Sequence, residues 1–157
     1  MLLCYYRMKK MKIKKIFMLF AVAFSMFVSC ANAASPSKVN EITQEQFKLK
    51  VGEYSKGFAG FKMLSEKPVV VDIYATWCGP CRRLSPIIEE LSKEYSGKID
   101  FYKIDLDKNR ALGDAFGVQS IPMLIFFPVN GKPQYIMGLY PKNELKEVID
   151  YMFFKKK

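Results

Sequence analysis

The clearest hydrophobic pattern in the chain is the apolar run VVVDIYA at residues 69–75, which Pro68 precedes and a cysteine-containing segment follows. A short, β-branched run of this kind predicts a strand that is buried on both faces of a sheet. Residues 99–105 alternate between apolar and polar side chains and predict a second strand. The segment MLIFF after Pro122 predicts a third strand, and PVNG predicts a turn into a fourth strand at PQYIMG.

A helical pattern lies before these strands. Thr43 can cap a helix that begins near Gln44, and Phe47 and Val51 then lie on one face of that helix. Residues 52–68 contain three glycines that interrupt the pattern, together with three apolar side chains that require burial. We therefore predict a short helix among loops for this stretch.

Three more helices are predicted after the first strand. Pro80 suits the first turn of a helix, and Pro86 predicts a kink within it. Asp107 can cap a short helix that Gly117 ends, and the last helix is predicted at about residues 142–152. The order strand, helix, strand, helix, hairpin, helix predicts an α/β fold. Its first two strands are then parallel and joined by a right-handed crossover.

The N-terminal residues carry the pattern of a secretory signal peptide. Six basic residues lie before residue 16, and the apolar run at residues 16–28 is too short for a comfortable membrane span. The segment Ala31-Asn32-Ala33 fits the small-x-small pattern of a cleavage site. Three parts are therefore predicted: a signal peptide at 1–33, a linker at 34–40 and a folded domain at 41–154.

Alternatives stay open at the N-terminus. The apolar run could remain as an uncleaved anchor or fold as a core helix. The segment FVSC loosely resembles a bacterial lipoprotein box, so that lipidation at Cys30 is an alternative to cleavage after Ala33. Met8 or Met11 would each begin a more typical leader than Met1 does. Cleavage and lipidation both imply an exported protein.

Charge and cysteine content narrow the function classes. The whole chain has a formal net charge of +10, but the residues after Ala33 carry 19 Lys and Arg against 15 Asp and Glu. This mild excess does not indicate a nucleic-acid partner. The chain has no histidine, and Cys78 and Cys81 are the only cysteines after residue 33.

The segment from Cys78 to Cys81 admits three interpretations: a metal site, a structural disulfide or a redox couple. Zinc usually requires four nitrogen or sulfur ligands, and the mature chain has only two cysteines and no histidine. A soft metal on two thiolates, or a zinc shared by a dimer, stays a minor alternative. A disulfide across so short a loop would stabilise the fold little. A redox couple fits best, because one thiolate can attack a substrate disulfide while its neighbour resolves the mixed disulfide.

Cys78 is predicted to be the exposed nucleophile and Cys81 the shielded resolving thiol. Cys78 precedes the start of a helix, whose positive end favours the thiolate. Asp72 interrupts the buried strand, where a raised pKa would let it exchange a proton with Cys81; the alternative is an edge-strand acid that faces water. Lys103 on the next strand can reach Asp72, or is a surface lysine. Three neighbours are interpreted as ordinary core or surface residues: Tyr74, Arg82 and Arg83.

The segment VVVDIYATWCGPC closely resembles the motif of the thioredoxin family, a strand with an internal aspartate that runs into Trp-Cys-Gly-Pro-Cys. SIPM with Pro122 resembles that family's cis-proline loop, Pro86 matches its helix kink, and MGLYPKNEL resembles its closing glycine and last helix. The resemblance covers about residues 39–154 and implies the thioredoxin fold, an α/β fold with a central mixed β-sheet flanked by helices. With the leader, the chain resembles an exported thioredoxin of the Gram-negative periplasm.

The resemblance also implies an activity and a site. The activity is thiol-disulfide exchange, with no cofactor besides the cysteine pair. Cys78 would attack the substrate disulfide, Cys81 would resolve the mixed disulfide, and Asp72 and Lys103 would assist proton transfer. Pro122 is expected to be cis. The apolar surface that receives the substrate chain would consist of Trp77, Gly79, Pro80, Ile121, Pro122, Met137 and Gly138.

Gly-Pro between the cysteines favours a reductant, because the family's reducing members carry that dipeptide, although it only biases the redox poise. An oxidase or isomerase of the same fold stays an alternative, as does a non-catalytic binding module that uses Trp77 and Ile121. We expect a monomer that acts on disulfide-bearing envelope proteins. Its electron donor is unidentified, with a membrane protein as one candidate. The long stretch at residues 52–67 and the altered hairpin FFPVNGKP affect partner choice rather than chemistry.

Overall fold

The computed structural model describes residues 39–154, and a mixed β-sheet of five strands forms its centre. The elements along the chain are β1 (Asn40–Glu41), α1 (Gln44–Lys50), β2 (Gly52–Glu53), α2 (Gly57–Gly60), β3 (Lys62–Met63), β4 (Val69–Tyr74), α3 (Gly79–Glu94), β5 (Asp100–Asp105), α4 (Arg110–Ala115), β6 (Met123–Phe127), β7 (Gln134–Met137) and α5 (Lys142–Phe153). The strand order in the large sheet is β1-β5-β4-β6-β7. The strands β1, β5 and β4 are parallel, whereas β6 and β7 are antiparallel to their neighbours.

The apolar run that begins at Val69 forms β4, the central strand of the sheet, as its sequence predicts. Val71 and Ile73 point into the core on one face of the sheet, and Val70 points into the core on the other. The predicted parallel pairing of β4 with β5 is confirmed. Asp72 therefore lies in the middle of the sheet, and the alternative of an edge-strand acid that faces water is wrong.

Helices cover both faces of the sheet. On one face, Phe47 of α1 and Leu112 of α4 pack against the odd-numbered valines of β4. On the other face, Leu84 of α3 and Leu145 of α5 pack against Val70. Asp72 lies on the face of β4 that α3 covers, because side chains alternate along a strand. This arrangement places the start of α3 above the carboxyl end of β4.

The segment between α1 and β4 contains the short helix that its sequence predicts, α2, together with a strand pair that the pattern does not predict. β2 and β3 are two residues each, which is too short for an alternating pattern to show. Phe58 and Phe61 pack against the core. Gly57 has a φ of +56°, and a β-carbon at this position would collide with the carbonyl oxygen of Ala115. The segment is therefore packed against α4.

The helix α1 begins as predicted, with a capping box in which the Thr43 hydroxyl accepts from the backbone N–H of Gln46. Phe47 is fully buried, and its ring contacts four aromatic rings at centroid distances from 5.5 to 6.2 Å. We expect Phe47→Ala to lower the free energy of unfolding by about 3–5 kcal/mol in denaturant titrations. Leu49→Ala on the same helix is the control, because Leu49 is 81% exposed. Equal losses in both variants would contradict the packing described here.

The position of α4 corrects one prediction. Asp107 does not cap this helix, which follows Asn109 and begins at Arg110. The reason is a turn after β5, in which Asp105 Oδ1 accepts from the backbone N–H of Asp107 at 3.1 Å. The helix ends as predicted, because Gly117 adopts a φ of +61° and its N–H donates to a carbonyl of α4.

The predicted boundary between linker and domain is two residues late. Val39 packs into the core and Asn40 begins β1, because β1 completes the edge of the sheet beside β5. The predicted signal peptide, the cleavage site and Cys30 lie outside the described residues. Within residues 39–154, no helix is long and apolar enough to cross a membrane.

Candidate active site

The two cysteines lie at the start of α3, directly after the central strand. Cys78 occupies the position before the helix, and Pro80 lies in the first turn, where its missing N–H is not needed. Cys78 and Cys81 form a disulfide with an S–S distance of 2.01 Å, and the backbone N–H of Cys81 donates to Cys78 Sγ at 3.2 Å. A sulfur at this place faces the free N–H groups of a 16-residue helix, which favour its thiolate form.

Cys78 is predicted to be exposed and Cys81 to be shielded, and the structure agrees only for Cys81. Cys81 is shielded as expected, with 2% of its surface exposed, but Cys78 is also buried, at 4%. Both pack with Ala75, and the side chain of Ile121 packs against the same cluster. In the disulfide form, therefore, neighbouring side chains cover the predicted nucleophile.

Asp72 lies beneath this cysteine pair and is 4% exposed. Burial raises the pKa of Asp72 from 3.8 to about 7, although the positive charge of Lys103 works in the opposite direction. Lys103 is the register partner of Asp72 on β5. Among residues 39–154, no group donates a hydrogen bond to the buried Oδ1 atom of Asp72. A carboxyl group of this kind can both release and accept a proton near neutral pH.

A cavity of about 90 Å³ connects Asp72 to Cys81. Its other lining residues are Tyr74, Ala75, Thr76, Arg82, Ser85 and Lys103. The space is large enough for water molecules to pass a proton between the carboxyl group and the thiol. The site therefore contains a buried proton acceptor next to the predicted resolving cysteine.

The cavity includes two residues whose position the sequence interpretation missed. Tyr74 is half-buried and lines the cavity, although it is interpreted from sequence as a core residue. Arg82 also lines the cavity, and its Nη1 donates to the carbonyl oxygen of Thr76 at 3.4 Å. A signal for Tyr74 was present, since residues two apart on a strand share one face and Asp72 is two residues earlier.

The loop with Pro122 lies against the cysteines, and the peptide bond between Ile121 and Pro122 is cis, as expected. The backbone N–H of Gly138 donates to the carbonyl oxygen of Pro122 at 2.8 Å, which fixes the end of β7 beside this loop. Met137 on β7 is exposed. The structure thus brings Ile121, Pro122, Met137 and Gly138 together.

The surface beside the disulfide is apolar and open. Trp77 is 68% exposed, and Gly79 and Pro80 continue this surface on the first turn of α3. A groove of about 330 Å³ runs past Trp77 and Ile121 and continues along Leu106 and Val118. An exposed aromatic ring beside a groove is typical of a surface that binds another chain.

The side chain of Trp77 is held by Asp107, which sequence reasoning interpreted as a helix cap. Trp77 Nε1 donates to Asp107 Oδ2 at 2.8 Å. No local pattern could show this contact, because 30 residues separate the two positions. The carboxylate therefore fixes the orientation of the indole on the apolar surface.

We expect Asp107→Ala to weaken substrate binding, because the indole loses its hydrogen-bond acceptor. An ordinary hydrogen bond contributes about 0.5–1.5 kcal/mol, so KM for a protein disulfide rises about two- to tenfold while kcat changes little. Steady-state kinetics measure both constants, and Glu89→Ala on the exposed side of α3 is the charge-matched control. An unchanged KM would show that this contact does not organise the binding surface.

Among the described residues, no cluster of three or more cysteine, aspartate, glutamate or histidine side chains could hold a metal ion. The site instead has a redox-capable cysteine pair, a helix start that favours a thiolate, and a buried carboxyl group with a pKa near 7. These features define a thiol-disulfide oxidoreductase.

The comparisons with known proteins agree with this class. The thioredoxin family model matches residues 38–151, and the chain belongs to the thioredoxin family. It is 43% identical over 112 residues to a thioredoxin of Borreliella burgdorferi, a match that covers 71% of this chain and 95% of that protein. It is 44% identical over 86 residues to a chloroplastic M-type thioredoxin of Pisum sativum, covering 55% of this chain and 50% of that protein.

Solved structures support the fold as well. Chloroplastic thioredoxin z superposes with a TM-score of 0.61 at 26% identity, over 73% of this chain and 94% of that one. The thioredoxin of Malassezia sympodialis superposes with a TM-score of 0.57 at 29% identity, over 73% of this chain and 90% of that one. The expected thioredoxin fold is confirmed, and the protein is a thiol-disulfide oxidoreductase that acts on protein disulfides.

Proposed function

We propose that this protein is an exported reductant of protein disulfides, in which Cys78 attacks and Cys81 resolves. The observation that carries the proposed roles is the cavity that joins Asp72 to Cys81 beneath the disulfide. Because burial raises the pKa of Asp72 to about 7, its carboxyl group can take the proton of Cys81 and later return one. A cysteine pair with a purely structural role would have no use for such a group.

The first step starts from the reduced protein. The thiolate of Cys78 attacks one sulfur of the substrate disulfide, and a new S–S bond forms between them. The substrate's own S–S bond breaks, and its second sulfur leaves as a thiolate that takes a proton from water. The N–H of Cys81 and the start of α3 favour the attacking thiolate.

The second step releases the substrate. The Asp72 carboxylate accepts the proton of the Cys81 thiol, and the Cys81 thiolate attacks Cys78 Sγ. The Cys78–Cys81 disulfide closes, the bond to the substrate breaks, and the remaining substrate sulfur leaves as a thiolate. In total, two electrons pass from the cysteine pair to the substrate, the proton of Cys81 is left on Asp72, and the substrate thiolates take their protons from water or from Asp72. An electron donor must then reduce the Cys78–Cys81 disulfide and restore the dithiol.

The direction of electron flow is supported by the Gly79-Pro80 dipeptide, which resembles that of reducing members of the family. The intervening dipeptide biases the redox poise of such a pair. Oxidation of substrate dithiols would run these two steps in reverse at the same site, and isomerisation of disulfides would combine forward and reverse exchange without net electron transfer. A measured reduction potential separates these functions.

Export to the cell envelope is supported by the basic cluster, the short apolar run and the cleavage pattern of residues 1–33. In that compartment the substrates are disulfide-bearing envelope proteins, and a membrane protein is a suitable class of electron donor. The groove beside Trp77 and Ile121 would receive the substrate chain.

Expression of the full-length chain in a Gram-negative host, followed by cell fractionation and mass spectrometry of the intact protein, tests export. We expect periplasmic or membrane-bound protein whose N-terminus is Ala34 or a lipid-modified Cys30. Deletion of residues 16–28 provides the control and should leave the protein in the cytoplasm. Recovery of the uncleaved chain in the cytoplasm would overturn the proposed location but leave the chemistry intact.

A further inference from the structure

Three charged side chains form a row across the sheet beneath the active site. Glu41 on β1 is the register partner of Lys103 on β5, and Lys103 is the register partner of Asp72 on β4. Register partners on parallel strands point to the same face of a sheet. Lys103 therefore stands between an exposed carboxylate and a buried one.

The ammonium of Lys103 is held over an aromatic ring. Its Nζ lies 5.5 Å from the centroid of the Tyr74 ring, which is a cation–π distance. The buried Oδ1 of Asp72 has no hydrogen-bond partner within the described part of the chain, although Lys103 is its immediate neighbour across the strands. A buried carboxylate attracts a neighbouring cation strongly, so that the position of the ammonium over the ring requires a cause.

The cause lies in how the Tyr74 ring is fixed. Tyr74 Oη donates to Glu41 Oε2 at 2.9 Å. Lys108 Nζ in turn lies 3.4 Å from Glu41 Oε1 and 3.0 Å from Asp105 Oδ2. Tyr74 also packs against the cluster of Ala75 and the two cysteines. Burial and the Glu41 carboxylate raise the pKa of Tyr74 to about 12, so that the phenol stays a hydrogen-bond donor near neutral pH. Tyr74 is therefore held both by the hydrogen bond of its hydroxyl and by its packing against the cysteine cluster.

We infer that Tyr74 is a positioning residue of the redox site: its anchored ring keeps the Lys103 ammonium at the mouth of the cavity and prevents a direct ion pair with Asp72. This inference goes beyond the proposed function, because it holds for either direction of electron flow. A direct ion pair would keep Asp72 ionised, and an ionised Asp72 has no proton to return to Cys81. The ring thus keeps the carboxyl group usable as both acid and base.

The other groups that face Asp72 do not explain this arrangement. From α3, the cavity is lined by Cys81, Ser85 and Arg82, and the Arg82 guanidinium donates to Thr76. The partner of Asp72 on β6 is the apolar Leu124. From β1, Glu41 adds negative charge and is engaged by Tyr74 and Lys108. Lys103 is therefore the cation whose distance from Asp72 the Tyr74 ring controls.

A double-mutant cycle on the oxidised, full-length protein tests the inference. The pKa of Asp72 is measured from its carboxyl ¹³C shift, and the disulfide form is used because its cysteines do not titrate. We expect Tyr74→Leu to lower the pKa of Asp72 by about one unit, since a cation that closes on a carboxylate lowers its pKa by about 1–3 units. In the Lys103→Met background, the same Tyr74→Leu change should produce no lowering.

Two variants separate positioning from a general disturbance of the site. Tyr74→Phe retains the ring and its packing against the cysteine cluster but loses the hydrogen bond to Glu41, so that it should lower the pKa of Asp72 less than Tyr74→Leu does. Tyr102→Leu removes a comparable ring, with Lys50 Nζ 5.7 Å from its centroid, and should leave the pKa of Asp72 unchanged. An unchanged or raised pKa in Tyr74→Leu, or the same lowering without Lys103, would overturn the inference.

A measurement on the wild-type protein guards against variants that do not fold. The ring current of Tyr74 should shift the ε-methylene protons of Lys103 upfield, because Lys103 Nζ lies 5.5 Å from the centroid of that ring. Unshifted protons would place the ammonium elsewhere and contradict the inference. Neither measurement depends on reductase activity, so that an inactive wild-type protein would refute the proposed function without deciding the role of Tyr74.

Discussion

Cys78→Ser lowers the rate of thiol-disulfide exchange by about three orders of magnitude or more, because Cys81, the thiol that remains in the site, is shielded from the substrate. Cys81→Ser, by contrast, still performs the first step and then stops. The trapped substrate stays bonded to Cys78, since the thiol that would release it is absent. The two variants therefore fail in different ways, although each lacks one sulfur of the same disulfide.

The distinction is measured in two assays. Insulin reduction reports the loss of turnover in both variants, and non-reducing electrophoresis with mass spectrometry reports mixed disulfides. The wild-type protein and the double variant, Cys78→Ser with Cys81→Ser, are the controls, and neither should retain substrate. Equal trapping by Cys78→Ser and Cys81→Ser would mean that the roles of the two cysteines are assigned wrongly.

Asp72→Asn is expected to have the second-largest effect, and it acts on the resolving step. A positioned general acid or base contributes about 100-fold or more to a proton transfer, so that release of the mixed disulfide slows by about that factor. In the wild-type protein, this step should slow as pH falls through about 7, because the protonated carboxyl can no longer accept the Cys81 proton. The pH dependence should be absent in Asp72→Asn. Stopped-flow mixing with a single-turnover substrate separates this step from the initial attack.

Asp72→Asn should slow the resolving step but increase the stability of the folded protein. The pKa of Asp72 is 3.8 in the unfolded chain and about 7 in the folded protein, so between these pH values the folded state binds more protons. Stability therefore falls as pH rises from about 4 to about 7. Above pH 7, Asp72→Asn should be more stable than wild type by up to about 4 kcal/mol, which is the full effect of this shift.

Denaturant titrations at pH 5 and pH 8 test this second effect. The gain from Asp72→Asn should be larger at pH 8, where the wild-type carboxylate is ionised and buried. Asp100→Asn is the matched control, because Asp100 is a half-buried aspartate at the start of β5, the end of that strand that lies away from the cysteine pair. A wild-type stability that does not fall between these pH values would refute the raised pKa of Asp72.

Much of the fold and the centre of the site could be predicted from sequence, because the relevant signals are local. The run that forms β4 is short, β-branched and continuous, and it leads directly into the cysteine pair. Spacing alone places Asp72 on the strand beneath the helix that begins after Cys78. The capping box at Thr43 likewise depends on residues only three positions apart.

The missed features depend on contacts between distant segments. Asp107 binds the indole of Trp77 rather than capping α4, because the turn closed by Asp105 moves the helix start to Arg110. The burial of Cys78 depends on the loop that carries Ile121, which arrives more than 40 residues later. Local patterns indicate which residue types are suited to a role, whereas the fold decides which partners they contact.

The equilibrium reduction potential of the Cys78/Cys81 pair, measured against glutathione, tests the proposed function most directly. The cysteine pair, the Gly-Pro dipeptide between its members and the buried Asp72 together predict a reductant. The reduction potential of the pair should therefore be about −270 mV, the value typical of thioredoxin. A potential well above that of the glutathione couple, towards about −120 mV, would identify an oxidant and contradict the proposed direction of electron flow.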